Sequence, residues 1–410
     1  MANEILFVAY GGGHVAMLAP VAKHLAAAGR SVVFLALTTA AQYMDGLQLP
    51  FIGYRQLPGA SDADVQKYGN ELARGLPTGG PVSPEETVAY LGLNYRELVR
   101  MHGEVGAAER YAAQGRQAFL PVGLFESWLR ELNPALVVAT NSPRSEQAAL
   151  LAAGRLGIPA VCTVDIFGLQ EVQWVGQPGY SQRICVLNDQ VRDMFLAHGR
   201  RADEVVVTGN PAFQRLRTAS AMEAGRKLRR DRSWPEEDVV ILWASQIEPE
   251  RHPFADRHGD PSLPRRIEAE LRQFVAQHDG FQLVVRYHPS ERIDFMQGQA
   301  RVHFSPVTED LAALLHAVDI VVVTASTVGL EAYLAGRRVI SVDASIFTSD
   351  APYSQMGVST GVQSPDGLGD VLLHAAANRA VWAEANLADD EMAGLSPTCK
   401  IAQVIDSMLV

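Results

Sequence analysis

The sequence is poor in cysteine and lacks long apolar runs, and both shortages narrow the class of protein. Its 410 residues include only three cysteines, which stand far apart and form no paired metal-ligand spacing. An odd number of separated thiols is typical of reduced cysteines, and the apolar runs around Cys162 and Cys185 predict that both are buried. No stretch approaches the roughly 20 apolar residues of a membrane-spanning helix, and the N-terminus has no basic segment followed by a long apolar region. We therefore predict a cytoplasmic protein without a transmembrane segment.

Positive charge is also scarce. The formal net charge is −11, because 35 lysine and arginine residues stand against 46 acidic residues. An acidic chain is a poor candidate for nucleic-acid binding, which needs basic side chains to neutralise phosphates, so we expect no nucleic-acid partner. Overall charge also disfavours adhesion to an anionic membrane. The basic stretch at 225–232 is predicted to be a solvated helix face, and peripheral membrane contact stays open.

What the sequence has in abundance is an alternation of short apolar runs with alanine- and leucine-rich segments that end at glycine. The nearly continuous apolar runs predict buried parallel strands, and the segments between them predict helices. This β-α-β order predicts an α/β fold of two Rossmann-like, doubly wound domains that face each other across a cleft. The predicted strands are 5–10, 31–37, 135–140, 159–164, 183–188 and 204–210 in the first domain and 238–245, 281–289, 301–306, 319–326 and 337–343 in the second.

The domain bounds follow from where this rhythm stops and restarts. The first domain is predicted to span residues 1–215, with a mostly helical insertion at about 55–120 that is a candidate for contacting a variable ligand. The second domain is predicted at 216–385, and a helix within 386–410 is expected to pack back on the first domain. The D-x-D at Asp62 and Asp64 is predicted to cap a helix rather than to bind a metal.

Ligands of open parallel sheets bind beyond the carboxyl ends of the strands, so the residues that follow each strand are the candidates. The first strand ends in "YGGGHVAM", where Gly12 and Gly13 allow close backbone approach and His14 is a candidate general base. The alternative for His14 is a histidine that only caps or packs. The loop is not G-x-G-x-x-G and no acidic residue ends the second strand, which disfavours a nicotinamide dinucleotide.

Two further strands of the first domain leave polar residues at their ends. The strand at 135–140 is followed by Asn141, and by Ser142 and Ser145, which are predicted to cap a helix. The strand at 159–164 is followed by Asp165, which enters a glycine-containing loop. Asp165 is therefore a candidate for binding a sugar hydroxyl or for acid/base chemistry.

In the second domain, three strand ends offer hydroxyls, a histidine, an arginine and a helix N-terminus, which together favour a phosphate site without a lysine-bearing P-loop. We predict that Ser326 and Thr327 hold phosphate, that Gly329 lets a ribose approach, and that Glu331 accepts hydrogen bonds from ribose hydroxyls. The alternative is that Thr324, Ser326 or Thr327 caps the helix and that Glu331 interacts with its dipole. The other candidates at these strand ends are Ser245, Gln246, Arg286 and His288.

Four stretches resemble the non-hydrolysing UDP-N-acetylglucosamine 2-epimerases and, more widely, the GT-B-fold glycosyltransferases. They are "AAGRLGIPAVCTVD", "LNDQVRDMFLAHGRRADEVVVTGNPAFQRL", "RYHPSE" and "VVVTASTVGLEAYLAGRRVISV". The resemblance spans most of the chain except 55–120 and implies the GT-B fold with a nucleotide-sugar ligand. Its "VTGN" motif implies a hinge between domains, and we assign Gly209 and Asn210 to the nucleotide site.

The glycine-rich loop carries a second resemblance. "GGGHVAMLAPVAKHL" is similar to the acceptor-side loop of the transferase that adds N-acetylglucosamine to the lipid-linked peptidoglycan precursor. This implies that Gly12 and Gly13 lie on the acceptor side, and we place Asn141 there as well.

The departures from the epimerase pattern concern the residues that would move protons. Epimerases of this group have an Asp in "GD" where this chain has Asn141, and a Glu in "EAG" where it has Asp165. They have "HRREN" at the start of the second domain, where this chain has "SQIEPER". Because epimerisation needs an acid/base pair on opposite faces of the sugar, these departures disfavour it.

The His-Pro corner and the Ser/Thr pair also resemble those of bacterial sialyl-, Kdo- and polyol-phosphate transferases, which use CMP- or CDP-linked donors. In those families the histidine and the hydroxyl pair contact the donor phosphate, which implies the same role for His288, Ser326 and Thr327. The acidic motif that those families use as a base is not evident in this chain.

Together these observations predict a glycosyltransferase that moves a sugar from a UDP- or CMP-linked donor to a hydroxyl of a glycan or another acceptor, in bacterial surface-glycan synthesis. Arg286 and His288 would neutralise the departing phosphate, and His14 or Asp165 would take the acceptor proton. No metal and no other cofactor is expected, because donors from the protein can serve instead. The alternatives are a nucleotide-sugar 2-epimerase or hydrolase of the same fold, and a non-enzymatic nucleotide-sugar sensor.

Overall fold

The computed structural model describes residues 4–76, 80, 82–253, 255–378 and 396–409. The chain divides into two compact units: the first comprises the residues up to Ala212 together with the C-terminal helix, and the second begins at Phe213. The point in the sequence where the first unit ends lies within a short 3-10 helix, Pro211–Arg217. The predicted segments 379–385 and 386–395 lie outside the described residues.

The first unit is built on a six-stranded parallel sheet with the order β2-β1-β3-β4-β5-β6. The strands are β1 (Glu4–Ala9), β2 (Ser31–Ala36), β3 (Leu136–Thr140), β4 (Ala160–Thr163), β5 (Arg183–Val186) and β6 (Val205–Val207). The helices are α1 (Gly13–Ala27), α2 (Ala40–Gly46), α3 (Ala63–Ala73), α4 (Pro84–Gln114), α5 (Val122–Leu132), α6 (Ser145–Leu156), α7 (Val172–Val175), α8 (Asp189–Ala197) and α14 (Pro397–Asp406).

The second unit is built on another six-stranded parallel sheet, with the order β12-β11-β10-β7-β8-β9. Its strands are β7 (Val239–Ala244), β8 (Phe281–Arg286), β9 (Val302–Phe304), β10 (Ile320–Val323), β11 (Arg338–Val342) and β12 (Thr360–Val362). Its helices are α9 (Ala219–Asp231), α10 (Leu263–Gln277), α11 (Leu311–Ala317), α12 (Thr327–Leu334) and α13 (Leu368–Ala377).

All eleven predicted strands are confirmed, and the sequence analysis missed only β12. The central strands are buried along their whole length, as "LVVAT" in β3 and "VVILWA" in β7 show, because helices cover both faces of a parallel sheet. β12 is three residues long and contains a glycine, so it has no apolar run to reveal it.

The core of the first unit lies where α1 and α14 cover one face of its sheet. Phe7 and Phe34 stack on neighbouring strands with ring centroids 5.9 Å apart, and Ile401 and Ile405 of α14 are fully buried in the same cluster. At the start of α14, the hydroxyl of Ser396 accepts a hydrogen bond from a backbone N–H in the first turn. The last helix of the chain therefore completes the core of the first unit.

The segment between β2 and β3 is mostly helical, and its helices α3 and α4 pack closely. A Cβ atom at Gly69 of α3 would lie 2.1 Å from the carbonyl oxygen of Val88, and one at Gly92 of α4 would lie 2.1 Å from that of Val65. The two glycines thus let the backbones of α3 and α4 touch at two points.

Three carboxylates link parts of this helical segment. Glu86, in the first turn of α4, accepts hydrogen bonds from the backbone N–H groups of Tyr54 (2.6 Å) and Arg55 (3.1 Å). Asp62 precedes α3, and the prediction that its side chain caps this helix is wrong. The carboxylate instead forms an ion pair with Arg96 at 2.6 Å. Asp64 lies 3.7 Å from the same guanidinium, so this arginine faces both carboxylates of the D-x-D.

Gly92→Ala is expected to destabilise the first unit by about 1–3 kcal/mol, because the added methyl group would push two helix backbones apart. Gly46→Ala is the matched control: nothing lies within 4 Å of a Cβ there, so it should be neutral or stabilise by up to about 1 kcal/mol. Calorimetric unfolding of both variants tests this, and equal unfolding temperatures for the two would contradict the packing described.

Candidate functional site

Each sheet has one point at which the strand order reverses, and such points are where open α/β sheets bind ligands. In the first unit the reversal lies between β1 and β3, which are hydrogen-bonded neighbours. In the second unit it lies between β7 and β10. The residues that follow these four strands therefore define two candidate sites, one in each unit.

In the first unit, a buried carboxylate joins the ends of β1 and β3. Glu146 of α6 is fully buried and accepts hydrogen bonds from the backbone N–H groups of Tyr10 (2.7 Å) and Thr140 (2.7 Å). The hydroxyl of Thr140 donates to it as well. Burial raises the pKa of Glu146 above its ordinary value, although the nearby His14 and these donors oppose the increase.

His14 lies at the start of α1 and is linked to this carboxylate through Thr140. Its Nδ1 lies 2.8 Å from the hydroxyl oxygen of Thr140, so the hydrogen bond spans the reversal point of the sheet. The residue is only partly buried, which leaves part of the imidazole accessible. His14, Thr140 and Glu146 thus form a chain of hydrogen bonds that runs from a partly exposed ring to a buried carboxylate.

The carboxylate of Asp165 lies beside Gly13, the residue that precedes His14. A Cβ at Gly13 would lie 3.0 Å from Oδ2 of Asp165. The side-chain oxygen of Asn141 accepts a hydrogen bond from the backbone N–H of Asp165 (2.7 Å), and the amide of Asn210 donates to its Oδ1 (3.3 Å). The predicted residues His14, Gly13, Asn141 and Asp165 are therefore brought together at one sheet edge.

Two residues assigned from the sequence to the nucleotide lie in the first unit. Asn210 holds Asp165, as described above, and Gly209 has a positive φ of 75° and packs beside Pro397 at the start of α14. Gly12 also has a positive φ, of 70°, and is exposed at the start of α1. Both glycines occupy backbone conformations that other residues adopt only with strain.

The prediction that Ser142 and Ser145 cap α6 is wrong. The N-cap position is Arg144, and no side chain caps this helix end. Ser145 is instead fully buried, and its hydroxyl forms hydrogen bonds with those of Tyr10 (2.8 Å) and Tyr54 (2.7 Å). Burial raises the pKa of both tyrosines, so these phenols stay protonated.

In the second unit, the residues after β7 and β8 form a charged network. The buried Ser245 donates to Glu291 (3.1 Å) and accepts from Arg265 (2.8 Å), and Arg265 is also ion-paired with Glu291 at 2.8 Å. The other carboxylate oxygen of Glu291 accepts from the backbone N–H of His288 (2.7 Å). His288 itself is exposed, and its Nδ1 accepts a hydrogen bond from the N–H of Ser290 (3.2 Å).

The acceptance of that hydrogen bond determines which nitrogen of His288 can donate. With Nδ1 as an acceptor, the neutral ring carries its proton on Nε2, which is then free to donate to an anion. Gln246 follows Ser245 and is partly buried.

Arg286 is the last residue of β8, and its hydrogen bonds are to residues of the second unit. Its guanidinium donates to the hydroxyl of Ser305 (2.9 Å) and to the carbonyl oxygens of Pro306, Val307 and Glu309 at 3.1–3.2 Å. These bonds fix the loop that follows β9. The structure thus gives Arg286 a positioning role for this loop.

The start of α12 shows which of the predicted phosphate ligands are accessible. Ser326 is the N-cap, and its hydroxyl oxygen accepts from the N–H of Val328 (3.3 Å), while Thr327 is exposed. Gly329 is buried: a Cβ there would lie 2.8 Å from Val323 and 3.1 Å from the ring of Tyr353. Gly329 therefore makes room for packing against the sheet and Tyr353, rather than for a ribose.

Two buried polar atoms beside α12 have no hydrogen-bond partner among the described residues: the hydroxyl of Thr324 and one carboxylate oxygen of Glu331. The Glu331 side chain is 14% exposed, and this oxygen lies 3.5 Å from Arg215. Burial raises the pKa of Glu331, against the effect of Arg215 and Arg286. Buried polar atoms in proteins are normally hydrogen-bonded, so these two atoms leave hydrogen-bonding capacity unused beside the start of α12.

The sequence analysis did not identify Thr140 and Glu146, although both lie in stretches that it considered. Glu146 stands in the first turn of a predicted helix, where an acidic residue is ordinarily explained by the helix dipole. Only the pairing of β1 with β3 shows that Glu146 accepts hydrogen bonds at the ends of both strands.

No group of three or more histidine, cysteine, aspartate or glutamate side chains is placed to hold a metal ion within the described ranges. In the same part of the chain, no helix has the length and apolar character needed to cross a membrane.

No protein-family model and no curated protein sequence matches this chain, but solved structures do. UDP-GlcNAc 2-epimerase from Neisseria meningitidis, bound to UDP-GlcNAc, is similar with a TM-score of 0.54 at 13% identity over 99% of both chains. MurG from Acinetobacter baumannii has a TM-score of 0.53 at 14% identity, over 99% of this chain and 100% of its own. CalG4, the calicheamicin glycosyltransferase, has a TM-score of 0.54 at 15% identity, over 100% of this chain and 98% of its own.

At these identities the similarity establishes the fold. The chain has two Rossmann-like units of the kind found in these structures, which confirms the predicted α/β fold of two Rossmann-like domains.

Glu146→Gln is expected to reduce stability most at low pH and least at high pH. Because the pKa of Glu146 is raised in the folded state, wild-type stability falls as the pH rises above the ordinary value of 4.5, until the raised pKa is passed. Glutamine does not titrate, so the difference between the two proteins should shrink with rising pH. Thermal unfolding between about pH 4 and pH 8 measures it.

The control for this prediction is Glu104→Gln, which alters an exposed carboxylate on α4. Its unfolding temperature should run parallel to that of the wild type at every pH. If the Glu146→Gln curve also ran parallel, the pKa of Glu146 would not be raised.

Proposed function

We propose that this protein is a glycosyltransferase that moves a sugar from a nucleotide-sugar, bound by the second unit, to a hydroxyl group bound by the first unit. The observation that carries this proposal is the hydrogen-bonded chain from His14 through Thr140 to the buried Glu146. Transfer to a hydroxyl needs one general base, and this arrangement supplies one. The fold supports the proposal, since similar structures include glycosyltransferases.

The chain of hydrogen bonds determines which nitrogen of His14 can act as the base. When Glu146 is ionised, the hydroxyl of Thr140 donates to it and accepts from Nδ1–H of His14. The lone pair of the neutral ring is then on Nε2, and this atom would take the proton of the acceptor hydroxyl as its oxygen attacks the anomeric carbon. The imidazolium that forms is stabilised by the negative charge of Glu146.

The donor side of the proposal uses the N-terminus of α12. The backbone N–H groups there, with the hydroxyls of Ser326 and Thr327 and the Nε2–H of His288, would bind the phosphate and stabilise the charge that develops on it as the glycosidic bond breaks. The oxygen of Glu331 that has no hydrogen-bond partner, 3.5 Å from Arg215, would accept hydrogen bonds from the ribose. Arg286 would contribute indirectly, by holding the loop after β9.

In this proposal, the donor is UDP- or CMP-linked, the acceptor is a glycan or another hydroxyl compound of a bacterial surface polymer, and no metal or cofactor takes part. The amide and hydroxyl donors of α12 would meet the charge that a metal ion otherwise neutralises.

A second candidate function is a nucleotide-sugar 2-epimerase or hydrolase. The observation that favours it is Asp165, which gives the first unit a second proton-transferring group beside Gly13 and His14. A pair of groups is what proton removal and return at one carbon would require, and a carboxylate could equally direct water.

Product analysis separates the two functions. A thermal-shift screen against UDP, CMP, CDP, GDP and dTDP first identifies the nucleotide, because a preferred ligand raises the unfolding temperature by mass action. Mass spectrometry of reactions with the corresponding sugar donors then follows. Transfer predicts a glycosylated acceptor and acceptor-dependent release of nucleotide; free sugar or an epimerised donor without any acceptor would refute it, and no turnover of any donor would leave a binding protein.

His14→Gln is expected to lower kcat by about 10²–10⁴-fold, because the general base is lost, while the affinity for the nucleotide stays unchanged. Thr140→Val keeps the shape of the side chain but removes the link to Glu146, and it should lower kcat by a smaller factor. His24→Gln, on the exposed face of α1, is the control and should retain wild-type kcat. A His14→Gln variant with wild-type turnover would exclude His14 as the base.

Glu331→Ala is expected to weaken nucleotide binding by roughly tenfold or more, since two charge-assisted hydrogen bonds to the ribose would be lost. Glu223→Ala, which alters an exposed carboxylate on α9 of the same unit, is the control. Isothermal titration calorimetry with the preferred nucleotide measures both. If Glu331→Ala bound the nucleotide as well as Glu223→Ala does, the ribose assignment would be wrong.

A further inference from the structure

A cavity of about 540 Å³ opens in the first unit beside the end of β1 and the start of α6. Its wall combines residues of the first unit's strand ends and α4 with two residues of the segment that follows α4: Tyr10, Thr38, Arg144, Tyr90, Gln114, Arg116 and Gln117. The helical insertion thus closes a pocket against the strand ends that carry the candidate base.

The charge of this pocket is unlike that of the whole chain. Arg116 and Arg144 line it, and none of the described residues that line it is acidic, whereas the protein carries a net charge of −11. Most arginines of this unit form an ion pair with a carboxylate, as Arg96, Arg130 and Arg192 do. Neither Arg116 nor Arg144 forms an ion pair with any residue that the structure describes.

Arg144 is held in place by its surroundings and in a conformation that other residue types would avoid. Its guanidinium lies over the ring of Tyr10, 4.9 Å from the centroid, and the phenol of Tyr10 is fixed by its hydrogen bond to Ser145. The backbone of Arg144 has φ 70° and ψ −113°, which glycine adopts freely and an arginine adopts only with strain. Strain at a long cationic side chain that has no anionic partner indicates a function for that side chain.

We propose that this pocket binds an anionic group, a carboxylate or a phosphate, on the acceptor, with Arg116 and Arg144 as its ligands. A guanidinium stacked on an aromatic ring keeps its N–H edge free, and this edge matches the two oxygens of a carboxylate or a phosphate. Gln114 and Gln117 supply neutral donors around the anion. The acceptor of this enzyme is therefore an acidic sugar or another acidic hydroxyl compound.

That the bound anion belongs to the acceptor rests on the proposed function. Tyr10 and Arg144 stand close in sequence to His14 and Thr140, at the ends of the same two strands, so a compound bound here by its anionic group would have its hydroxyl near the proposed base. The binding of the anion itself does not depend on any transfer reaction.

The test compares three ligands that share a glucopyranose ring: glucose, glucuronate and glucose 6-phosphate. Ligand-observed NMR titrations of the full-length protein, without any nucleotide, measure their dissociation constants. We expect at least one of the two anions to bind at least tenfold more tightly than glucose, and the better anion distinguishes a carboxylate from a phosphate ligand. Equal binding of all three compounds, or no binding of either anion, would overturn the proposal.

Three variants locate the binding. Arg144→Gly removes the guanidinium and also relieves the positive φ, so its unfolding temperature should equal or exceed that of the wild type while the affinity for the anion falls at least tenfold. Arg116→Gln, at an exposed position, should weaken the anion similarly. Arg130→Gln, whose side chain is 61% exposed on α5, is the control and should bind as the wild type does. Wild-type affinity in Arg144→Gly or Arg116→Gln would refute the assignment.

The outcome is separable from that of the transfer reaction. If the arginine variants bind the anions normally but a neutral acceptor is glycosylated, the pocket assignment fails and the proposed function stands. If the anions bind through the arginines but no donor is ever consumed, the pocket stands and the proposed function fails.

Discussion

The first unit depends on one interaction, the acceptance of backbone hydrogen bonds by the buried carboxylate of Glu146. At the point where the order of a parallel sheet reverses, the chains that leave two neighbouring strands diverge, and the N–H groups just beyond their pairing have no strand to bond with. Glu146 accepts from both of them, at Tyr10 and at Thr140. A buried carboxylate is costly unless its oxygens are satisfied, and here the backbone itself satisfies them. The same group then orients Thr140, and through it His14, so that a requirement of the fold becomes a property of the site.

The second unit is arranged differently. Its strand ends after β7 and β8 are bound into a network of Ser245, Arg265 and Glu291, which is complete without a ligand. At α12, in contrast, the hydroxyl of Thr324 and an oxygen of Glu331 are buried and lack partners among the residues described. The first unit therefore satisfies its backbone hydrogen bonds at its reversal point, whereas the second unit retains unused hydrogen-bonding capacity after β10. This asymmetry is what a protein would show if one half supplied a reactive group and the other supplied a binding surface.

The fold was predictable because a parallel sheet covered on both faces leaves an unmistakable pattern of short apolar runs, and eleven of the twelve strands carry it. The site was predictable only in part. His14 and Asp165 could be found because they follow strands directly, and the sheet edge gathers such residues. Glu146 could not, because its partners come from two strands that are distant in sequence. Gly329 illustrates the opposite error: a glycine next to a predicted ligand suggested room for that ligand, whereas the space is filled by Val323 and Tyr353. Ser145 resembles a helix cap in sequence, yet its hydroxyl bonds with two tyrosines that only the folded chain brings near.

The position of α14 has a consequence for biosynthesis. Ile401 and Ile405 complete the hydrophobic core of the first unit, although they are translated after the entire second unit. Domains ordinarily fold in the order in which they leave the ribosome. Here the order is inverted: the second unit, which is continuous in sequence, can form its core while the first still exposes the apolar surface of α1 that α14 will cover. A nascent chain of this protein therefore carries an uncovered apolar face on α1 until α14 emerges from the ribosome, and exposed apolar surface of this kind is what chaperones bind.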